Sequence, residues 1–156
     1  MKLPILEYLQ HFIAGTLPEQ AQTHARYPTA ISQTLKMRIA EVGIGTATIE
    51  IDADPEVHGN QQGTIHGGLL CELADAAIGT AHSTVMEEGE TFASIDLKIN
   101  FFRPVWKNTL RAVATPIQNG RTITHYRVQI FNESDKEVAQ VVSTIMTLRG
   151  DQAKGR

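Results

Sequence analysis

Cysteine and tryptophan are nearly absent from this sequence of 156 residues, and no run of basic residues occurs. The single cysteine, Cys71, cannot form a disulfide within the chain, which fits a reducing compartment. Because Cys71 lies in an apolar stretch with helical spacing, we expect it to fill space in the core rather than to act as a nucleophile.

Further absences narrow the function. The sequence has no stretch of about 20 apolar residues and no basic-then-apolar leader pattern, so we expect a soluble, cytoplasmic protein that does not bind membranes. The formal net charge is -3 with scattered Lys and Arg, which gives no indication of nucleic-acid binding. A Gly-x-Ser-x-Gly element is absent, which argues against a serine α/β-hydrolase. His58, His82 and His125 follow no zinc-ligand spacing, so no metal or other cofactor is expected.

The length corresponds to one domain, and its hydrophobic fraction of 42% is enough for a core. Apolar residues at helical spacing between positions 3 and 15 predict an amphipathic helix. A polar stretch interrupted by prolines follows it. We therefore interpret residues 1–34 as a helical N-terminal extension, 35–149 as the domain and 150–156 as a flexible tail.

Alternating apolar and polar residues predict six strands. Two strands lie between Leu35 and Ile51 around a turn at 43–45, and the polar, Gly-rich region from Asp52 to Thr64 is expected to be a loop. The remaining strands are predicted at 91–102, 108–117, 122–131 and 137–148.

One long helix is predicted over residues 68–86. Many residues of this segment are small, so the helix can lie close to a sheet. One long helix against one antiparallel sheet is an α+β layout, and such a sheet leaves edge strands that self-association would cover. The expected apolar face comprises Leu70, Leu73, Ala74, Ala77, Ile78, Ala81 and Val85.

The start of this helix carries the candidate chemistry. Gly67 and Gly68 begin the helix, where backbone N–H groups are unpaired and glycine lets a carbonyl approach closely. Asp75 follows eight residues after Gly67 among small apolar residues, where partial desolvation would raise its pKa. Asn60 and His66 add polar groups beside the Gly-rich loop. Singly, these residues could be a tight turn, a solvated helix residue, a loop residue and a helix cap, but together they favour a functional site.

In these residues the chain resembles the hotdog-fold thioesterases, specifically the phenylacetate-pathway (PaaI-like) and 4-hydroxybenzoyl-CoA thioesterase branch. The resemblance covers roughly residues 35–149. The matching segments are His66-Gly67-Gly68, Leu73-Ala74-Asp75, Ala77-Ile78-Gly79, Ser94-Ile95-Asp96-Leu97 and Asn100-Phe101-Phe102-Arg103-Pro104-Val105.

The resemblance implies an α+β hotdog fold, in which a curved antiparallel sheet wraps a long central helix. It implies an acyl-CoA substrate and a homodimer joined edge to edge, often doubled to a homotetramer, with active sites between subunits. Asp75 matches the catalytic nucleophile or general base, and the Gly67 N–H matches the group that polarises the thioester carbonyl. Asn60, expected from the opposite subunit, would orient the water or the carbonyl. His66 would shape the loop, and Ser94 would support the attacking water.

Contacts with coenzyme A follow less directly from the sequence. Gly68 is a candidate substrate contact at the helix start, and the phosphates need cations. Arg103, Lys107, Arg121 and Arg149 are candidates, although each could also be a solvated surface charge.

Two other functions on this fold stay open. A hydratase or dehydratase would place its His and acid differently, and the acid nine residues after His66 favours hydrolysis. A non-catalytic acyl-CoA-binding module is disfavoured by Asp75 and by the lack of a basic recognition helix in residues 1–34. The acyl group, aryl or medium to long chain, is not determined by the sequence.

Overall fold

The computed structural model describes all 156 residues, and its main body is one antiparallel sheet packed against one long helix. None of its helices combines the length and apolar character needed to span a membrane. The strands are β1 Arg38–Gly43, β2 Thr46–Ala53, β3 Thr91–Phe101, β4 Asn108–Gln118, β5 Ile123–Phe131 and β6 Glu137–Leu148. The helices are α1 Ile5–Ala14, α2 Ala30–Leu35, α3 Pro55–His58 and α4 Gly67–Ser83, followed by a 3₁₀ turn at Gly150–Ala153.

The sheet order places β3 at an edge. The order is β1-β2-β4-β5-β6-β3, so β3 pairs with β6 alone and its outer edge has no partner strand. Ile95 is 57% exposed on this strand. An open edge with an exposed apolar side chain is a natural place for another chain to pair.

Small side chains set how closely α4 approaches the sheet. Ala74, Ala77 and Ala81 are fully buried, as are Leu73 and Ile78 beside them. Alanine at these contacts lets the helix backbone lie near the strands, so the larger side chains of the sheet fill the layer between them. The predicted apolar face is confirmed for these residues. Val85 is an exception: α4 ends at Ser83, and Val85 lies beyond it, exposed.

Two boundaries differ from those expected. The alternating pattern predicts that Leu35 begins the first strand, but Leu35 is the last residue of α2. The Thr29 side chain caps the first turn of this helix. The region after Asp52 was expected to be a loop, yet it contains α3, where the Asp54 side chain accepts the Glu56 N–H and Pro55 occupies the first turn. An aspartate followed by proline is a helix-start signal, although a helix this short has no apolar period to reveal it.

Cys71 also differs from expectation. It is half-buried rather than part of the core, because it lies on the flank of α4 that the sheet does not cover. Burial still raises the pKa of its thiol, which disfavours the reactive thiolate.

The N-terminal extension packs on the β1 side of the sheet. Its helix α1 confirms the predicted amphipathic segment, and Leu3, Ile5, Tyr8 and Leu9 form a second small core. Farther along, the Tyr27 hydroxyl lies 2.6 Å from Ser83 Oγ at the end of α4. The extension is therefore attached to both the sheet and the central helix.

A polar network lies inside the core near the end of α4. His82 is buried, with Nδ1 3.0 Å from the Tyr126 hydroxyl and Nε2 2.9 Å from Thr147 Oγ1. Desolvation lowers the pKa of His82, which keeps the ring neutral, and burial raises the pKa of Tyr126 to about 12.

This network predicts a pH-dependent stability. An unfolded histidine binds a proton near pH 6.5, whereas folded His82 resists protonation, so the free energy of unfolding should fall as the pH drops below about 6.5. One such proton contributes a slope of at most about 1.4 kcal/mol per pH unit. Urea titrations at a series of pH values between 7 and 5 give the free energy of unfolding at each pH. This free energy should change less steeply with pH for His82→Gln than for the wild type. Parallel slopes would show that His82 does not carry this dependence.

Candidate active site

Asn60 organises the loop that leads into α4. Its Oδ1 accepts the N–H groups of Gln62 at 2.9 Å and Thr64 at 3.1 Å, and its Nδ2 donates to Thr64 Oγ1 at 2.9 Å. The loop is fixed at its far end because the Ile65 N–H donates to the Val105 carbonyl. The Asn60 amide therefore has one N–H left for a group outside its own loop.

The first turn of α4 presents a free donor. His66 caps the helix, with Nδ1 accepting the Gly68 N–H at 2.9 Å, so its ring proton lies on the exposed Nε2. The Gly67 N–H makes no hydrogen bond within the chain. It is located at the positive end of the helix dipole, where an oxyanion would be stabilised.

Glycine at position 67 leaves room for an aromatic neighbour. A Cβ atom placed on Gly67 would lie 2.8 Å from Cζ of Phe101, at the end of β3. The ring is 54% exposed and borders the approach to the free N–H. The sequence indicated a glycine for substrate access, and the structure adds a steric reason that depends on β3.

Asp75 lies on the face of α4 that points away from the sheet. Asp75 is exposed in the single chain and lines a cavity, and partial desolvation by the cavity walls raises the pKa of its carboxyl. The Ser94 hydroxyl on β3 opposes this rise, although the two side chains do not form a direct hydrogen bond. Ser94 adjoins a β-bulge before Asp96, a feature that re-aims side chains.

Glu72 was not selected from the sequence. It lies one turn before Asp75 and lines the same cavity. Desolvation and then the charge of Asp75 raise its pKa. The three-residue spacing on a helix was the available signal, since such residues share a face.

The Gly67 N–H and the Asp75 carboxylate are far apart within one chain. From Gly67 to Asp75 the helix rises about 12 Å, at 1.5 Å per residue. A reacting carbonyl needs its oxygen about 3 Å from the donor and its carbon about 3 Å from the carboxylate. One chain therefore brings Asp75 and Ser94 together, but not Asp75 and its own Gly67.

A cavity of about 790 Å³ follows the outward face of α4 and includes Asp75 in its lining. Residues from the extension, β1, β2, α4, the start of β3 and the C-terminal end of the chain enclose it. The structure brings no three His, Cys, Asp or Glu side chains together in a way that could hold a metal ion.

A family model described as the thioesterase superfamily matches residues 62–139, which is half of the chain. The chain belongs to the thioesterase superfamily. It is accordingly a thioester hydrolase.

Individual relatives agree with this assignment. The medium/long-chain acyl-CoA thioesterase YigI of Salmonella typhimurium is 24% identical, covering 77% of this chain and 86% of that protein. A Haemophilus influenzae protein is 38% identical over a shorter stretch, 47% of this chain and 54% of that protein.

Solved structures confirm the hotdog fold. The Escherichia coli PaaI protein from the phenylacetic acid degradation operon matches with a TM-score of 0.72 and 26% identity, over 79% of this chain and 87% of that chain. A Haemophilus influenzae thioesterase matches with a TM-score of 0.73 and 27% identity, over 78% of this chain and 85% of that chain.

The candidate cations of the thioesterase fall into two groups. Arg103 follows the end of β3 near Phe101, whereas Arg121 and Arg149 lie near the opposite end of that strand. Arg149 is engaged, with Nε 2.6 Å from Glu90 Oε1 and Nη2 2.6 Å from the Arg121 carbonyl oxygen. Lys107 lies 3.4 Å from Asp54. Of these four candidates, Arg103 and Arg121 are the two whose side chains have no ion-pair partner.

The environment of Asp75 predicts how the carboxylate titrates. Desolvation should place its pKa above that of an ordinary aspartate, and Ser94→Ala should raise it further because the stabilising hydroxyl is lost. Carboxyl ¹³C NMR of the thioesterase across pH 3 to pH 8 measures both. Ser134→Ala, in an exposed turn, is the matched control and should leave the midpoint unchanged. A midpoint that Ser94→Ala lowers or leaves in place would contradict this assignment.

Proposed function

We propose that this thioesterase hydrolyses acyl-CoA thioesters, with Asp75 as the catalytic carboxylate and the Gly67 N–H polarising the carbonyl. The observation that carries the proposal is that one helix holds both a partly desolvated carboxylate and an unpaired N–H at its N-terminus. The name of YigI, an acyl-CoA thioesterase, supports the coenzyme A ester as substrate. The single cysteine supports a cytoplasmic location.

The reaction needs few groups. In one route, Asp75 removes a proton from water, and the water oxygen attacks the thioester carbon. In the other route, the Asp75 carboxylate attacks that carbon itself and gives an anhydride, which water then hydrolyses. The carbonyl oxygen becomes an oxyanion that accepts the Gly67 N–H. The C–S bond then breaks, and coenzyme A leaves as a thiolate that takes up a proton. The Ser94 hydroxyl beside Asp75 can hold the attacking water, which favours the general-base route.

The site is proposed to be shared by two chains. Asp75 and Gly67 of one chain are about 12 Å apart along α4, too far to act on one carbonyl. Pairing of two β3 edges about a two-fold axis would bring the Gly67 N–H and the free Asn60 N–H of one subunit toward Asp75 of the other. We therefore propose a homodimer, doubled to a homotetramer as the resemblance implies. Arg103 and Arg121, from opposite ends of β3, are the proposed phosphate contacts.

Removal of the carboxylate should abolish most activity. Asp75→Asn should lower kcat by at least about 10²-fold, since general-base catalysis contributes that much or more. Thiol release from aryl-CoA and fatty acyl-CoA esters, followed with a thiol-reactive dye, measures the loss. Asp151→Asn, which alters a carboxylate of the tail paired with Lys154, should retain wild-type turnover. Equal rates for Asp75→Asn and the wild type would reject Asp75 as the catalytic group.

One substitution removes the N–H that is proposed to polarise the carbonyl. Gly67→Pro deletes the N–H at the first helical position, where proline is tolerated, and His66 already has the extended conformation that proline requires before it. Turnover should fall on the order of 10²–10³-fold. Gly67→Ala introduces a similar contact with Phe101 but keeps the N–H, so it controls for the steric effect.

Mixed dimers test whether the site is shared. Co-expressed Asp75→Asn and Gly67→Pro chains, isolated with two affinity tags, should recover activity because one of the two sites then has both groups intact. A random mixture should reach about a quarter of the wild-type activity. No recovery in purified mixed dimers would place both groups in one chain.

A further inference from the structure

The cavity beside Asp75 has one wall that comes from the N-terminal extension. Its volume of about 790 Å³ lies within the range of about 300–1,000 Å³ found for ligand pockets. Extension residues between positions 24 and 32 form one side, and the outward face of α4 forms another. Phe92 of β3 closes a third side, with its ring against Gly79, where an added Cβ would lie 3.4 Å from Cζ.

This wall is held in a defined position. The Tyr27 hydroxyl donates to Ser83 Oγ at 2.6 Å, because Ser83 itself donates to the Thr80 carbonyl at 2.8 Å. Burial raises the pKa of Tyr27, so the hydroxyl stays protonated and keeps donating. Tyr27 and Ala25 also pack against the small core of the extension.

Two of the charged side chains that line the cavity are paired within the chain. Arg38 is bound to Glu50 and to Asp52, and Glu90 is bound to Arg149. The polar atoms of Tyr27 and Ser83 satisfy each other. Arg26, Glu72 and Arg156 also line the cavity and form no ion pair. The apolar part of the lining includes Ile31, Met37, Ile39, Met86 and Phe92.

The cavity runs from the catalytic carboxylate toward the end of α4. Asp75 and Ser83 both line it, and the helix rises about 12 Å between them. A fully extended chain advances about 1.2 Å per bond, as an extended polypeptide backbone does. The distance therefore corresponds to about ten bonds of a saturated acyl chain whose carbonyl lies at Asp75.

We propose that the extension forms the side wall of the acyl pocket, and that Tyr27 and Ile31 set the preferred chain length at about ten carbons. The inference rests on the proposed acyl-CoA hydrolysis and names its substrate class, a medium-chain saturated acyl group. It also gives residues 1–34 a role in specificity.

Substitution at Ile31 tests this wall. Ile31 lines the cavity and is 45% exposed, so a larger side chain should be tolerated by the fold. Ile31→Trp should shift the optimum of kcat/KM to shorter chains across a saturated acyl-CoA series, with about a fourfold loss for each methylene group excluded. Ile31→Ala should shift the optimum toward longer chains. Ile44→Trp, at a turn residue that is 79% exposed and outside the cavity, is the matched control and should keep the wild-type profile.

A binding measurement separates this inference from the proposed function. Fluorescence titration with a dansyl-labelled medium-chain fatty acid should give at least about tenfold weaker binding to Ile31→Trp than to the wild type, equal to about two excluded methylene groups. If wild type releases no thiol but shows this difference in binding, hydrolysis is wrong and the acyl pocket stands. If the wild type and the Ile31 variants release thiol with the same chain-length profile and bind the fatty acid equally, the pocket inference is wrong and hydrolysis stands.

Discussion

The close approach of α4 to the sheet is the constraint on which the rest of the molecule depends. Three fully buried alanines, Ala74, Ala77 and Ala81, leave the helix little freedom to rotate or withdraw, because any larger side chain there would push it from the strands. Because the alanine face of the helix packs against the sheet, Asp75 lies on the face that points away from the core. The proposed catalytic carboxylate is thus positioned by residues that take no part in the proposed chemistry.

The same helix is the reason for proposing a site shared by two chains. Its N-terminus carries the proposed carbonyl donor and its outward face carries the proposed catalytic carboxylate, and the straight helix separates the two along its axis. The open edge of β3 carries Ser94 and Phe101, each beside one of these groups. An unpaired strand that borders both halves of a site gives a physical basis for joining the halves through that strand.

Much of this could be predicted from local sequence. The helix follows from apolar spacing and the sheet from alternation, and the candidate site is a prediction from a glycine pair and an isolated aspartate. Each of these signals lies within a few residues. The features that the sequence does not predict depend on distant contacts. Glu72 is identified only by the cavity that it lines, and the engagement of Arg149 only by its contact with Glu90. The end of α4 before Val85 and the two short helices depend on capping and tertiary packing, which weak local periods do not reveal.

The loop closed by Asn60 has a consequence for assembly. Three side-chain hydrogen bonds fix this segment inside its own subunit before any second chain arrives. The conformational entropy lost in ordering it belongs to folding rather than to association. In the proposed homodimer, a surface that is already rigid would dock with a smaller entropic penalty and present its polar groups in a fixed orientation.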